Sequence, residues 1–223
     1  MKTRKELKTM AKQQIKGNIG MLFVITLIIG AITVAATVVL RFVPFGIGSL
    51  ASMIIITPAF TLSVVRVYQA LANTGKKPEA KDAFSGFDDF WTAFKASFLV
   101  GLFTFLWSLL FVIPGIIKSF SYSQTMMVVA ENPGISAREA ISRSKAMMDG
   151  HKMDYFVLGL SFIGWALLGC ITFGIAYIWV GPYMQATHVN FYNDVKPAET
   201  VAEEPAPAAV DAAPEQASQS EEN

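Results

Sequence analysis

Charge is what this sequence lacks. Only 16% of its 223 residues are Asp, Glu, Lys or Arg, against about 25% in soluble domains. Residues 155–193 contain none at all, a run of 39. As one helix that run would be about 58 Å long at ~1.5 Å per residue, roughly twice the ~30 Å hydrocarbon core of a bilayer. It must cross a membrane, turn and return. The other scarcities exclude function classes. A single cysteine, Cys170, rules out an intramolecular disulfide framework, and inside an apolar run it reads as a small hydrophobe more readily than as a nucleophile. There is no HExxH, Walker loop, nucleophile elbow or CxxC. The chain is therefore expected not to be an enzyme and to need no cofactor and no metal. No acidic residue lies well inside an apolar run, which argues against a proton- or cation-coupled pump.

What is present is apolar length: 53% of the residues are hydrophobic. Charge-free runs at 17–40, 42–65 and 96–117 each reach the ~20 residues a span needs. The first lies behind a polar helix and exceeds the ~7–15-residue apolar region of a signal peptide, so it reads as a retained span. A shorter run, 119–130, follows Pro114, Gly115 and Lys118. One helix over 96–130 would be about 52 Å long, and Pro114-Gly115 is a turn signal, so a second hairpin is expected there.

The expectation is an all-α polytopic membrane protein with six transmembrane helices in three hairpins, at about 18–41, 47–70, 96–113, 116–131, 154–171 and 174–192. With the N-terminus inside, 16 of the 18 Lys and Arg and all 17 acidic residues fall on the inner side or its boundary; Arg41 and Lys118 fall outside. The positive-inside rule then favours six spans over four, with both termini cytoplasmic in the cell membrane.

An internal repeat supports the hairpins. Val43-Pro44-Phe45-Gly46-Ile47 is echoed by Ile113-Pro114-Gly115-Ile116 and by Thr172-Phe173-Gly174-Ile175, and Lys16, Lys95 and Lys152 precede the three units. Amphipathic helices are expected ahead of each: a basic one at 1–16 around Leu7, Met10, Ala11 and Gln14, a second at 82–95, a third at 136–151. In the second, Phe84, Phe87, Phe90, Trp91 and Phe94 fall within roughly 120° of a helical wheel, opposite Asp82, Ser85, Asp88, Asp89 and Thr92. In the third, Ala137, Ala140, Ile141, Ser144, Met147, Met148 and His151 share an arc, and Ser136 and Glu139 stand in capping-box spacing. Such helices lie along the inner interface and pack on the bundle, or they form a lipid- or partner-binding surface. Residues 194–223, rich in Ala, Pro, Glu and Ser, read as a disordered acidic tail.

Two polar groupings are candidate sites. Lys118, Ser121, Tyr122 and Thr125 share one face at i, i+3, i+4 and i+7: either a polar path, or a snorkelling lysine beside hydroxyls that bond between helices. Glu131, Arg138, Asp149, His151 and Asp154 gather near the inner mouth. Glu131 sits at a helix C-terminus and calls for a cation such as Arg138. His151, Asp149 and Asp154 would suit a divalent metal if the fold brought His188 to them; helix-end polar residues are the plainer reading. Gly159, Gly164 and Gly169 suit close helix packing.

One block of pattern resembles a known family. It runs Ala130-Glu131-Asn132-Pro133, Ile135-Ser136-Ala137, Glu139-Ala140-Ile141, Ser144 and Met147-Met148, then Gly150-His151-Lys152 with Asp154. Leu160-Ser161-Phe162-Ile163-Gly164-Trp165 and Gly181-Pro182-Tyr183 through Phe191-Tyr192 continue it, while Leu7-Lys8 and Ile15-Lys16-Gly17-Asn18 fit its start. It is similar to the bacterial multi-pass membrane family catalogued as domain of unknown function 975. The resemblance implies architecture and location and transfers no activity. The functional expectation is a non-enzymatic membrane component that organises lipid or assists a partner complex; a small oligomeric transporter or channel is the alternative. Its partners would be the lipid bilayer and a membrane protein or a second copy of itself, and no nucleic acid.

Overall fold

The computed structural model describes residues 2–40, 47–110, 112–172 and 174–197. Arg41, most of the Val43–Ile47 echo, Phe173 and the tail from 198 onward lie outside the described residues. The architecture is all-α: α1 (Arg4–Ile15), α2 (Ile19–Leu40), α3 (Ile47–Thr74), a 3₁₀ segment (Ala80–Phe87), α4 (Phe90–Leu110), α5 (Val112–Tyr122), α6 (Thr125–Glu131), α7 (Ala137–Met147), α8 (Lys152–Leu160), α9 (Ile163–Ile171) and α10 (Tyr177–Val195).

Contacts run between α2 and α3, between α4 and α5, and from α10 to α8 and α9. Ile29 and Thr33 of α2 meet Thr57 and Thr61 of α3, whereas Phe23 and Thr26 meet Val64 and Tyr68, an antiparallel order. On α5, Tyr122 lies 6.3 Å from the Phe103 ring of α4, the Lys118 ammonium 4.8 Å from the Trp107 ring centroid, and Gly115 against Ser108. Along α10, Phe191 lies 5.1 Å from Tyr155, Tyr183 5.4 Å from Phe162, and Tyr177 against Gly169.

Four stretches are long and apolar enough to cross a bilayer: Ile19–Val39, Ile54–Thr74, Phe90–Leu109 and Lys152–Ile171. Their outward faces carry large apolar side chains; Val39, Leu109 and Ile171 are 66%, 73% and 75% exposed. Water would not tolerate so much exposed apolar surface, and a bilayer does. The structure is that of a multi-pass membrane protein.

Six expected spans thus become four by this measure, for two reasons. The 116–131 leg, divided into α5 and α6 of 11 and 7 residues, carries Lys118, Ser119, Ser121, Ser123, Gln124 and Thr125, which lower its hydropathy. The 174–192 leg is one helix, α10, whose second half carries Gln185, His188, Asn190, Asn193 and Asp194. Pro114-Gly115 is not the turn either. Both residues lie in the first turns of α5, where a proline costs little because early helix amides have no intrahelical partner. Gly115 serves packing instead: a Cβ there would sit 2.1 Å from the Ser108 hydroxyl.

The expected helix at 82–95 is divided between the 3₁₀ segment and the start of α4. Its cause is Gly86. The segment lies directly on α3, with the Gly86 amide donating to the Ser63 hydroxyl at 2.8 Å. Arg66 of α3 holds the same segment, donating to the Ser85 carbonyl and the Asp89 carboxylate. The helix expected at 136–151 is α7, Ala137–Met147, and it buries Ala137, Ala140, Ile141, Ser144 and Met147 against its neighbours.

The core sits at one end of the bundle. Leu7, Ala11 and Ile15, four residues apart, bury one face of α1, which packs on α10. Gln14 and Asn190 exchange amide hydrogen bonds of 3.0 and 2.9 Å across that contact. Thr3 and Glu6 close a reciprocal cap at the start of α1.

Gly86→Ala is expected to destabilise the protein by about 1–3 kcal/mol through overpacking, because its Cβ would fall 2.0 Å from the Ala59 carbonyl oxygen. Gly101→Ala, with nothing within 4 Å, should be neutral or stabilising by up to about 1 kcal/mol. Thermal unfolding of the two variants in detergent reads the difference, and equal melting would refute the close approach.

Candidate functional site

Lys118, Ser121, Tyr122 and Thr125 lie around a break in the chain. The chain breaks at Ser123–Gln124 between α5 and α6, and a break leaves carbonyls without their helical donors. Hydroxyls take over. Ser123 donates to the Phe120 carbonyl at 2.9 Å, Ser144 to the Ser121 carbonyl at 3.0 Å, and Thr125 to the Tyr122 carbonyl at 2.8 Å. Ser144, fully buried, also accepts from the Gln124 amide at 3.2 Å. The Ser121 hydroxyl donates back to Ile117 at 3.1 Å. Ser121, Tyr122 and Thr125 are buried, and Lys118 lies on Trp107.

A second break, at Ser161–Phe162 between α8 and α9, is held from α1. Lys8 donates to the Ser161 carbonyl at 3.2 Å while its ammonium stands 4.2 Å from the centroid of the Phe162 ring. Burial, with Arg4 and Lys12 nearby, holds the Lys8 pKa below the ordinary lysine value.

The inner-mouth residues separate into pairs. Glu131 accepts from the Tyr192 phenol and the Lys196 ammonium, not from Arg138, because the end of α6 meets the end of α10. Those donors offset a carboxylate at a helix C-terminus. Arg138 is exposed and shares a separate pocket with Lys95 and Phe98. His151 lies 3.5 Å from Asp154, and Lys152 3.6 Å from Asp149. Among the described residues no group of three His, Cys, Asp or Glu could hold a metal. His188 stands apart from these residues, 5.4 Å from the Tyr155 ring and 6.4 Å from that of Phe162.

Phe84, Phe87, Phe90, Trp91 and Phe94 form a continuous ladder. Phe60 starts it, 5.3 Å from Phe87; Phe87–Phe90 and Phe90–Phe94 are stacked at 6.4 and 6.1 Å, and Trp91 contacts Phe90 at 5.5 Å. Phe84, Phe87 and Trp91 remain exposed.

The arrangement best built for a ligand was not singled out by residue spacing. Two half-open chambers lie between α2, α3 and α10 and meet at Val64, Gln185 and His188. One, of about 380 Å³, reaches Thr57, Thr61, Ser123 and Tyr155. The other, of about 480 Å³, is walled by Phe23, Tyr68, Ile178, Pro182 and Met184. Both volumes fall in the ~300–1,000 Å³ range of small-molecule sites. The threonines spend their hydroxyl protons on their own helices: Thr26 on Leu22, Thr33 on Ile29 and Thr61 on Thr57, at 2.8–2.9 Å. Pro182 has no amide hydrogen to return to the Ile178 carbonyl. The available signal in the sequence was Gln185 and His188, three apart inside a charge-free run, where polar groups face the bundle interior.

A helical bundle with outward apolar legs, polar contacts gathered at one end and a groove between its helices defines a multi-pass membrane protein with an internal cavity. The chain belongs to the family described as protein of unknown function (DUF975), which matches residues 1–118 and 109–199. No curated protein and no solved structure matches it.

Ser144→Ala strands a buried carbonyl and a buried amide, at about 1–3 kcal/mol for each unsatisfied group. The expected result is a markedly lower melting temperature and faster amide exchange around Gln124. Ser119→Ala, at an exposed position, should leave both unchanged. A Ser144→Ala protein as stable as the parent would show that the break is satisfied by other means.

Proposed function

We propose that this protein is a non-enzymatic membrane component that holds lipid between its helices. The observation that carries this reading is the pair of largely apolar chambers open between α2, α3 and α10. Exposed Trp91 in the aromatic ladder supports it, since tryptophan favours the level of the lipid headgroups. So does the pocket shared by Lys95 and Arg138, two cations without a carboxylate partner among the described residues; basic side chains at the cytoplasmic surface attract anionic lipid.

The same reading includes topology. α5 and α6 together, and α10, complete six crossings in three hairpins, with α1, α7 and both termini on the cytoplasmic side. Breaks within a crossing are tolerated where side chains satisfy the freed backbone groups, as the hydroxyls around Ser123 do. The Lys118–Thr125 face gives transport little support, because the Ser121 and Thr125 hydroxyl protons are already bound within the chain.

Two measurements test the reading. After mild detergent extraction, mass spectrometry is expected to find a defined lipid in near-stoichiometric amount. A stoichiometric protein without lipid would make the chain an accessory subunit instead. With Cys170 replaced by Ser, a cysteine placed at Ser142, exposed on α7, should resist an impermeant thiol reagent applied from outside intact cells. Labelling there would overturn six crossings.

A further inference from the structure

The groove that carries the lipid-holding reading also constrains what kind of lipid it takes. Among the described residues no Asp, Glu, Lys or Arg lines either chamber. A phosphate head placed there would lose its hydration without gaining a counter-charge, which a low-dielectric site strongly disfavours. The groove is not devoid of polarity, however. Gln185 is exposed and His188 half-buried, both border the two chambers, and neither makes a hydrogen bond among the described residues. An amide and an imidazole present both donors and acceptors. Polar groups within a membrane domain are rare and mark ligand paths or sites.

We propose that Gln185 and His188 bind the uncharged, hydrogen-bonding head of a neutral lipid, a hydroxyl or a carbonyl, while its hydrocarbon chain occupies the chamber walled by Phe23, Met184 and Pro182. The inference rests on the lipid-holding reading and narrows it. A diacylglycerol and a quinone share this chemistry, one offering a hydroxyl with ester carbonyls, the other ring carbonyls.

The test uses the full-length protein, stripped of lipid in detergent and titrated separately with dioleoylglycerol, a short-tailed ubiquinone and dioleoylphosphatidylglycerol, with binding read by native mass spectrometry. One of the two uncharged lipids is expected to bind one per chain and at least tenfold more tightly than the phosphatidylglycerol; which of them does so identifies the source. Gln185→Leu and His188→Ala should each weaken that binding about tenfold or more. Gln185 is exposed, so its substitution keeps the test valid if the histidine variant fails to fold. Phosphatidylglycerol that binds as tightly as the neutral lipids and is weakened to the same degree by Gln185→Leu would overturn the uncharged head and leave lipid holding intact. Retention of no lipid at all would overturn both. Unchanged neutral-lipid binding by a folded Gln185→Leu protein would remove the recognition role assigned here.

Discussion

Every backbone amide and carbonyl of a chain in a bilayer must find its partner inside the protein. The chain breaks between successive helices at Ser123–Gln124 and at Ser161–Phe162, and each break receives a side chain from a distant element. Ser144 of α7 closes the first by donating to one orphan and accepting from another. Lys8 of α1 reaches the second. The short helices outside the bundle are thereby tied to the legs. α1 and α7 supply partners to backbone groups at the two breaks.

α10 is the element around which this end of the molecule closes. Its second half buries Thr187, Asn190 and Tyr192, and polar contacts run from it to α1 through Gln14, to α3 through Asn73 and to α6 through Glu131. A helix surrounded by protein on most sides can carry amides and a histidine that lipid would not accept. The consequence is a division of labour along the bundle. One end is fixed by hydrogen bonds and small buried residues, while the other ends of α2, α4 and α9 present apolar surface outward. Between them, where α10 stands off from α2 and α3, the packing leaves the two chambers.

The periodic features were legible in the residue order. The apolar runs located α2, α3, α4 and the α8–α9 pair, because hydropathy over about 20 residues is a local property. Of the expected arc, Ala137, Ala140, Ile141, Ser144 and Met147 are buried in α7, whereas His151 lies beyond its end and is half-exposed. The serines and threonines near the start of the fourth leg were visible too, but their role was not. A hydroxyl that lines a path and one that caps a helix break look alike in sequence; the difference lies in which carbonyl it reaches. Glu131 illustrates the same limit. Its need for a cation could be argued from its place at a helix end, yet Lys196 supplies it, 65 positions away, and the nearer Arg138 does not.

By itself the sequence determined that the chain is α-helical, that it lives in a membrane, and roughly where its long apolar legs lie, since these follow from charge-free length and helical rise alone. Tertiary structure decided where the legs break, why Gly86 and Gly115 must lack side chains, and which polar residues seal the fold. It also decided that Gln185 and His188 border a groove. Those outcomes depend on distances between elements far apart in the chain, which no local pattern of hydrophobicity encodes.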